Sequence, residues 1–369
     1  MKLSPELQKW YTTDRHTANE AQRMAQFISW GPIVFQTARL MVKFGILDLL
    51  RDAEAGLTRQ EICQHTGLTD YAVKCLTEAS LSIGLVLVDT DTDRFRLTKT
   101  GWFLLTDRST RVNMEFNHDV NYKGWFSLEE SLLQGCPVGL QEFGTWKTVY
   151  EGLSSLPQQV QDSWFGFDHY YSDSSFPEAL QIVFDQHQVK TLYDVGGNTG
   201  KWALRCVAYR PDVRVTVLDL PPQIAMMQAN IAGKPGCDRI SGHAVDMLDS
   251  HASLPRYDGR LDAIWMSQFL DCFSMEQIVD ILKKSREVMD EGTRVYIMET
   301  LWDRQRYETA AMCLTLTSLY FTAIANGNSK MYNTADLEQC IEAAGLTIET
   351  IHDHLGMGHA IVVCKKNQA

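Results

Sequence analysis

Three glycines fall within five residues in Leu192-Tyr-Asp-Val-Gly-Gly-Asn-Thr-Gly-Lys201, directly after an apolar run that carries one acid. A phosphate-binding loop requires G-x-x-x-x-G-K-[ST], but Val195 stands five residues before Gly200 and Trp202 follows Lys201. The dinucleotide fingerprint G-x-G-x-x-G is missing too, because the glycines stand at 196, 197 and 200. What remains is a strand, Asp194, a glycine turn and a helix starting near Lys201. An acid at that place repels an anion and favours a cation.

Two further acidic positions follow in order. Asp219, with Leu220 beside it in "VTVLDLP", comes nineteen residues after Gly200, where a carboxylate can accept from both hydroxyls of a ribose. Asp246 can accept from an adenine amino group, and the adjacent Met247 can cover the ring. Adenosine with a cationic amino-acid tail is S-adenosylmethionine. Each acid alone is an ordinary turn residue; their order and spacing together carry the reading.

The elements that must position these residues begin at about Pro177. Apolar runs at "TLYDV", "VRVTVLD", "RISGHAV", "LDAIWM" and "RVYIME" alternate with helical segments, the pattern of an α/β domain with a parallel sheet covered on both faces. The last two runs, "LTIETIHDH" and "HAIVVCK", are joined by Gly-Met-Gly, which predicts a hairpin and one antiparallel edge strand. Upstream, apolar residues recur at helical spacing from Ile33 to Leu50, and Thr58-Arg-Gln-Glu61 is a capping box whose helix Gly67 ends. A further helix over Asp70 to Ile83 and two short strands around "DTDTD" complete a winged-helix pattern. Its presumed recognition helix offers Lys74 as the only cation beside Asp70 and Glu78, so a protein–protein module is expected rather than a DNA reader. Three segments are therefore expected: a winged-helix domain over 1–110, an aromatic-rich helical connection over 111–176 that can wall a cleft, and the α/β domain over 177–369.

Composition agrees with that division. A chain of 369 residues, 45% hydrophobic, can build two cores, and a net charge of −12 disfavours binding to nucleic-acid phosphates. Nine scattered cysteines contain no C-x-x-C pair, so neither a disulfide framework nor a structural metal is expected. The N-terminus has no apolar signal core, which suits the cytoplasm. Thr309 to Ser329 carries no charge, and its Thr, Ser and Asn content predicts a buried helix rather than a membrane span.

With these motifs in this order, the chain resembles class I S-adenosylmethionine-dependent methyltransferases. It is most similar to the small-molecule O-methyltransferase family that includes plant caffeic-acid and acetylserotonin enzymes and bacterial natural-product methyltransferases. The resemblance implies a Rossmann-like methyltransferase sheet behind a winged-helix dimerisation domain, a homodimer, a small-molecule acceptor, and neither metal nor membrane. It puts the cofactor motif on Asp194, Gly196, Gly197, Asn198 and Gly200, the ribose acid on Asp219 with Leu220, and the adenine pair on Asp246 and Met247. "FDHYYSDSS" resembles the segment that covers the cofactor, placing Phe167, Tyr171 and Ser175 near the methionine moiety.

The catalytic run departs from the family. Where members carry Lys and then Leu-His-Asp-Trp, this chain reads "MSQFLDCFS", with Ser267 at the lysine, Asp271 at the base histidine, Cys272 at the aspartate and Phe273 at the tryptophan. Glu299 matches one of two acids that flank the base, and the other falls on Met331. A carboxyl near 4 facing a phenol near 10 leaves a gap of roughly 6 units, about 8 kcal/mol, unless burial raises the Asp. Asp271 is thus expected either as a base working beside Glu299 or as the cap of the helix starting near Ser274, with His118, His169 and His243 as other base candidates. The acceptor wall is expected from Trp125 and from Met312, Leu316, Tyr320 and Phe321 at helical spacing, a stripe equally suited to core or dimer interface. The expected reaction is O-methylation of an aromatic or polyketide-like acceptor; C- or N-methylation and a non-catalytic, regulatory role remain the alternatives.

Overall fold

The computed structural model describes residues 3–367, which divide into two compact units, residues 14–119 and residues 1–13 with 120–369. Residues 3–13, expected within the N-terminal domain, thus belong to the larger unit. There α1 (Pro5–Tyr11) buries Leu7, and Ser4 N–H donates to the Asp303 carbonyl at 3.1 Å.

The smaller unit contains α2 (Ala18–Ser29), α3 (Gly31–Lys43), α4 (Ile46–Asp52), α5 (Arg59–Thr66), α6 (Asp70–Ser82), α7 (Lys99–Thr106) and α8 (Arg108–Phe116). Its three-stranded sheet has the order β1 (Leu57–Thr58), β3 (Arg94–Leu97), β2 (Val86–Asp89). The apolar periodicity over Ile33 to Leu50 predicts one helix. Two form instead, because Gly45 takes φ +72° and breaks the hydrogen-bond ladder between α3 and α4. The capping box at Thr58 and Glu61 is present, with reciprocal hydrogen bonds of 3.3 and 2.7 Å.

In the larger unit, α9 (Leu128–Gln134), α10 (Val149–Gly152) and α11 (Gln158–Ser172) precede the alternating region. That region comprises α12 (Phe176–Asp185), β4 (Thr191–Val195), α13 (Lys201–Tyr209), β5 (Arg214–Asp219), α14 (Pro221–Ile231), β6 (Ile240–Ala244) and β7 (Ala263–Ser267). It continues through α15 (Met275–Glu287), β8 (Arg294–Glu299), α16 (Glu308–Tyr320), α17 (Thr334–Ala343), β9 (Leu346–Leu355) and β10 (His359–Lys366). The sheet order is β6-β5-β4-β7-β8-β10-β9, with the first five strands parallel. The reversed strand is not the edge, as the hairpin suggests, but β10, one position in; it pairs antiparallel with both β8 and β9, and β9 forms the edge. The last hairpin inserts its second strand against β8 because that strand, from His359 to Cys364, is buried at every position whereas β9 is not.

Central strands β4, β7 and β8 read as continuous apolar runs because helices cover both faces. On one face Trp265 stacks on Trp202 at 4.2 Å and 17°, among Val215, Val217, Met227 and Ile361. On the other, Ile264, Ile297 and Val362 meet Ile278, Ile281, Leu282 and Ile341 of α15 and α17. The uncharged stretch forms α16 and a π-helical turn, Phe321–Ala325, together long and apolar enough to cross a membrane by length and composition. Only one side of it packs inward, through Ala311, Leu314 and Tyr320 to Ala325.

Since Ile297 is fully enclosed between β7 and β10, Ile297→Ala should cost about 2–5 kcal/mol, read as a lower urea midpoint for the larger unit's unfolding.

Candidate functional site

Parallel strands bring their carboxyl ends to one edge, and the chemistry-bearing residues collect there. After β4 the chain turns through Gly196, whose φ is +72° and whose N–H donates to the Leu218 carbonyl at 2.8 Å. A Cβ at Gly196 would stand 2.3 Å from the Phe269 ring, and one at Gly197 would stand 2.6 Å from Asp194 Oδ2. Both glycines are thus required by close approach, the first also by its backbone conformation. Asn198 takes φ +48°, which asparagine tolerates, and directs its N–H to Asp219 Oδ2 at 2.9 Å. The other oxygen of Asp219 accepts from Leu220 N–H at 2.7 Å.

Asp194 is 98% buried by the same packing, and its Oδ2 has no hydrogen-bond partner among the described residues. Burial, reinforced by Asp219, pushes its carboxyl up to about 8. Burial also raises Asp219, against the two backbone N–H groups that pull it down. An enclosed acceptor, a glycine turn that a Cβ would fill and an Asp219 with spare acceptor capacity fit a ligand that carries a cation and a diol. Lys201, which opens α13, is committed to Asp173 by an ion pair.

The second group follows β7. Gln268 has a left-handed φ of +45° and Phe269 an αR conformation of −118°, −43°, a pairing that turns successive N–H groups inward as an anion nest. The N–H groups of Phe269 and Leu270 donate to Glu299 Oε1 at 3.1 and 2.9 Å, and that of Asp271 also donates to this carboxylate. Glu299 Oε2 is buried without a partner among the described residues. Burial and Asp271 push Glu299 up, and the three N–H groups pull it down.

Asp271 lies in the 3-10 turn that follows, 6% exposed. Burial pushes it up to about 7, opposed by the Cys272 thiol and reinforced by Asp168 of α11. Cys272 Sγ stands 3.5 Å from Asp271 Oδ1 and hydrogen-bonds Tyr150, while Asn326 Nδ2 donates to the Cys272 carbonyl at 2.7 Å. Trp164 Nε1 donates to Tyr320 Oη at 2.7 Å, and Tyr320 lies within electrostatic reach of Asp168, Cys272 and Asp271. The capping alternative for Asp271 is excluded: Ser274 caps α15, with Gln277 N–H on its hydroxyl at 3.3 Å and Gln277 Oε1 accepting Ser274 N–H at 2.9 Å.

Not every expected residue joins these two groups. Ser175, expected beside a methionine tail, is fully buried, with Oγ 2.9 Å from His359 Nδ1 and 3.3 Å from the Leu355 carbonyl, because α12 packs on the β9–β10 turn. Met247, expected over an adenine, is 5% exposed and packs with Val245 and Leu254 in the core; only its neighbour Asp246 faces out, its Oδ1 accepting Leu248 N–H at 2.8 Å. The α16 stripe divides, since Tyr320 and Phe321 are buried whereas Met312 and Leu316 are exposed. Trp125 is half-buried, with its indole N–H enclosed, and Phe167 and Tyr171 pack ring to ring at 4.9 Å. Ser267 ends β7 beside Met298 of β8. His243 is exposed on edge strand β6, His169 stacks on Phe165, and His118 pairs with Asp119 in the smaller unit at 2.7 Å. Met331 touches Thr300 Oγ1 through sulfur at 3.5 Å.

Sequence reasoning missed Tyr150, Asp168, Gln268 and Asn326. Asp168 stood within "FDHYYSDSS" and Gln268 within "MSQFLDCFS", so each had a signal; Tyr150 and Asn326 reach Cys272 only through the fold.

Residues 22–95 match the model of a Dimerisation2-like domain, and residues 174–347 that of an O-methyltransferase domain. The chain is 24% identical over 347 residues to the L-tyrosine C(3)-methyltransferase of Streptomyces lavendulae, covering 92% of each. Among solved structures it is similar to the S-adenosylmethionine-dependent methyltransferase SibL in its apo form, with TM-score 0.69, 24% identity, and 93% and 98% of the two chains covered. It is also similar to human N-acetylserotonin methyltransferase in complex with SAM, with TM-score 0.61, 17% identity, and 96% and 100% covered.

The raised acid at Asp194 sets a pH dependence. The unfolded chain releases this proton near 3.8 and the folded chain near 8, so the folded state binds the extra proton and loses stability as pH rises between those values. Thermal unfolding of the ligand-free protein should fall from pH 5 to pH 9, and Asp194→Asn should flatten that fall; equal slopes in the two proteins would contradict the assignment.

Proposed function

The chain belongs to the S-adenosylmethionine-dependent O-methyltransferase family, and on that premise we propose that it methylates a hydroxyl group of a small aromatic acceptor, with Asp271 as the proton acceptor. The supporting observation is the buried carboxyl of Asp271, pushed up to about 7 at the position where a base is needed.

Asp194, Gly196, Gly197, Asn198 and Gly200 would hold the methionine end of the cofactor, Asp219 and Leu220 its ribose, and Asp246 its adenine. Phe167, Tyr171 and Ser267 would lie around the methionine moiety. When bound, S-adenosylmethionine supplies an electrophilic methyl group on a sulfonium centre. The burial that raises Asp194 then becomes useful, because a cationic ligand stabilises its ionised form. Binding below pH 8 should release a proton, measurable by titrating S-adenosylhomocysteine in buffers of different ionisation enthalpy. Asp194→Asn should abolish that release and weaken binding at least tenfold.

At the acceptor, Asp271 takes the hydroxyl proton through a carboxylate oxygen. With Asp271 at about 7, the gap to a phenol near 10 narrows to roughly 3 units, about 4 kcal/mol, which is within reach of a base whose proton moves as the new bond forms. Asp271 and Glu299 titrate as a coupled buried pair: the charge of Asp271 adds to burial in raising Glu299, whereas Asp271 itself is raised by burial and by Asp168. Trp125 and Tyr320 would contribute aromatic surface for the acceptor ring.

Turnover should therefore rise with pH through about 7, the ionisation of Asp271. Asp271→Asn should lose on the order of 10²–10⁴-fold in kcat while S-adenosylhomocysteine binds as before, and Asp168→Asn, which removes a charge that raises Asp271, should move the rise to lower pH. Unchanged turnover in the Asp271 variant would remove it as the base.

A second reading, methylation of ring carbon, is favoured by the C(3)-methyltransferase relative that spans 92% of both chains. The same base would serve, since a phenol relieved of its proton is a stronger carbon nucleophile; the position of the new methyl carbon in the product's NMR spectrum separates the two. Met24, Phe27, Ile28, Trp30 and Ile33 leave an exposed apolar face along α2 and α3, and Ile28 is 70% exposed. A face of this kind in a segment matching a dimerisation domain supports a homodimer, to be checked by light scattering.

A further inference from the structure

Besides Glu299 Oε2, two buried acceptor atoms at the carboxyl edge of the sheet have no hydrogen-bond partner among the described residues and lie at the ends of adjacent strands. One is Asp194 Oδ2, at the end of β4. The other is Gln268 Oε1, in the first residue after β7. Strands β4 and β7 are paired in parallel register, Asp194 opposite Trp265 and Val195 opposite Met266, so the chain leaves both strands at the same level. The segment after β7 abuts the glycine turn directly, since a Cβ at Gly196 would strike the ring of Phe269, the neighbour of Gln268.

The backbone at Gln268 is also informative. The nest that grips Glu299 needs a left-handed residue there, and glycine supplies that conformation without cost, whereas an L side chain is strained in it. A glutamine at that place retains a side-chain carbonyl that nothing else in the described structure uses. A buried carbonyl left without a donor keeps its desolvation penalty, which a ligand N–H removes.

We propose that Gln268 is a cofactor-binding residue: its Oε1 accepts from the α-ammonium group of the methyl donor, alongside Asp194 Oδ2. An ammonium carries three donors and needs several acceptors once it leaves water, and one carboxylate oxygen does not satisfy it. The amide supplies the second acceptor without adding another negative charge to an edge that already holds Asp194, Asp219, Asp271 and Glu299.

The test compares two ligands by calorimetry on the intact protein. S-adenosylhomocysteine carries the amino-acid tail, and 5′-methylthioadenosine has the same nucleoside and sulfur without it. Gln268→Ala should weaken S-adenosylhomocysteine at least tenfold and leave 5′-methylthioadenosine within about twofold, whereas Gln268→Glu, which keeps an acceptor, should restore most of the loss. In parallel, Gln268→Gly should raise the thermal midpoint of the ligand-free protein by relieving the backbone, yet bind S-adenosylhomocysteine as poorly as the alanine variant. Equal losses on both ligands, or none on either, would overturn the assignment. So would failure of the glutamate variant to recover binding while its ligand-free thermal midpoint matches that of the wild type.

Discussion

A buried carboxylate that grips backbone N–H groups ties the working edge of this sheet together. Glu299 ends β8, and its oxygen accepts from consecutive residues after β7, so two neighbouring strands are fastened at their carboxyl ends by a contact that is neither ladder nor side-chain packing. A carboxyl group enclosed among apolar residues requires such donors, since an uncompensated buried anion costs far more than the surrounding packing returns. The requirement propagates outward. It forces Gln268 into a left-handed backbone, places the Phe269 ring against Gly196, and fixes the short turn on which Asp271 is carried.

Electrostatics at this edge follow from crowding. Asp194 and Asp219 lie near the glycine turn, and Asp271 and Glu299 near the next pair of strands, each with a carboxyl raised first of all by burial. Among the described residues none of these four forms an ion pair with Lys or Arg, of the kind that holds exposed acids such as Glu349 below their usual range. An edge built this way stores protons at neutral pH and gives them up to a cation, which is the property a sulfonium donor with an ammonium tail exploits.

Much of the fold was legible because its signals are local. The alternation of apolar runs and helices, the capping box at Thr58, and the acid followed by glycines at 194–200 each involve residues a few positions apart. Asp219 was recoverable because parallel topology places successive strand ends side by side. The reading failed where several outcomes share one local pattern. A helical period over 33–50 does not reveal that Gly45 breaks it, and a hairpin signal does not say which of its strands is inserted against β8.

The sequence by itself determined the α/β architecture and the cation-favouring glycine turn, since both rest on periodicity and on chemistry within one loop. Only the tertiary structure decided what the isolated side chains meet. Ser175 turns to His359, 184 residues away, and Met247 goes to the core; Met312 and Leu316 face outward; Ser274 rather than Asp271 caps α15. The state of Asp271 belongs to the same class, because it is set by how deeply the fold buries it and by Asp168, 103 residues earlier in the chain. Burial and charge proximity are properties of three-dimensional neighbours, and no spacing along the chain encodes them.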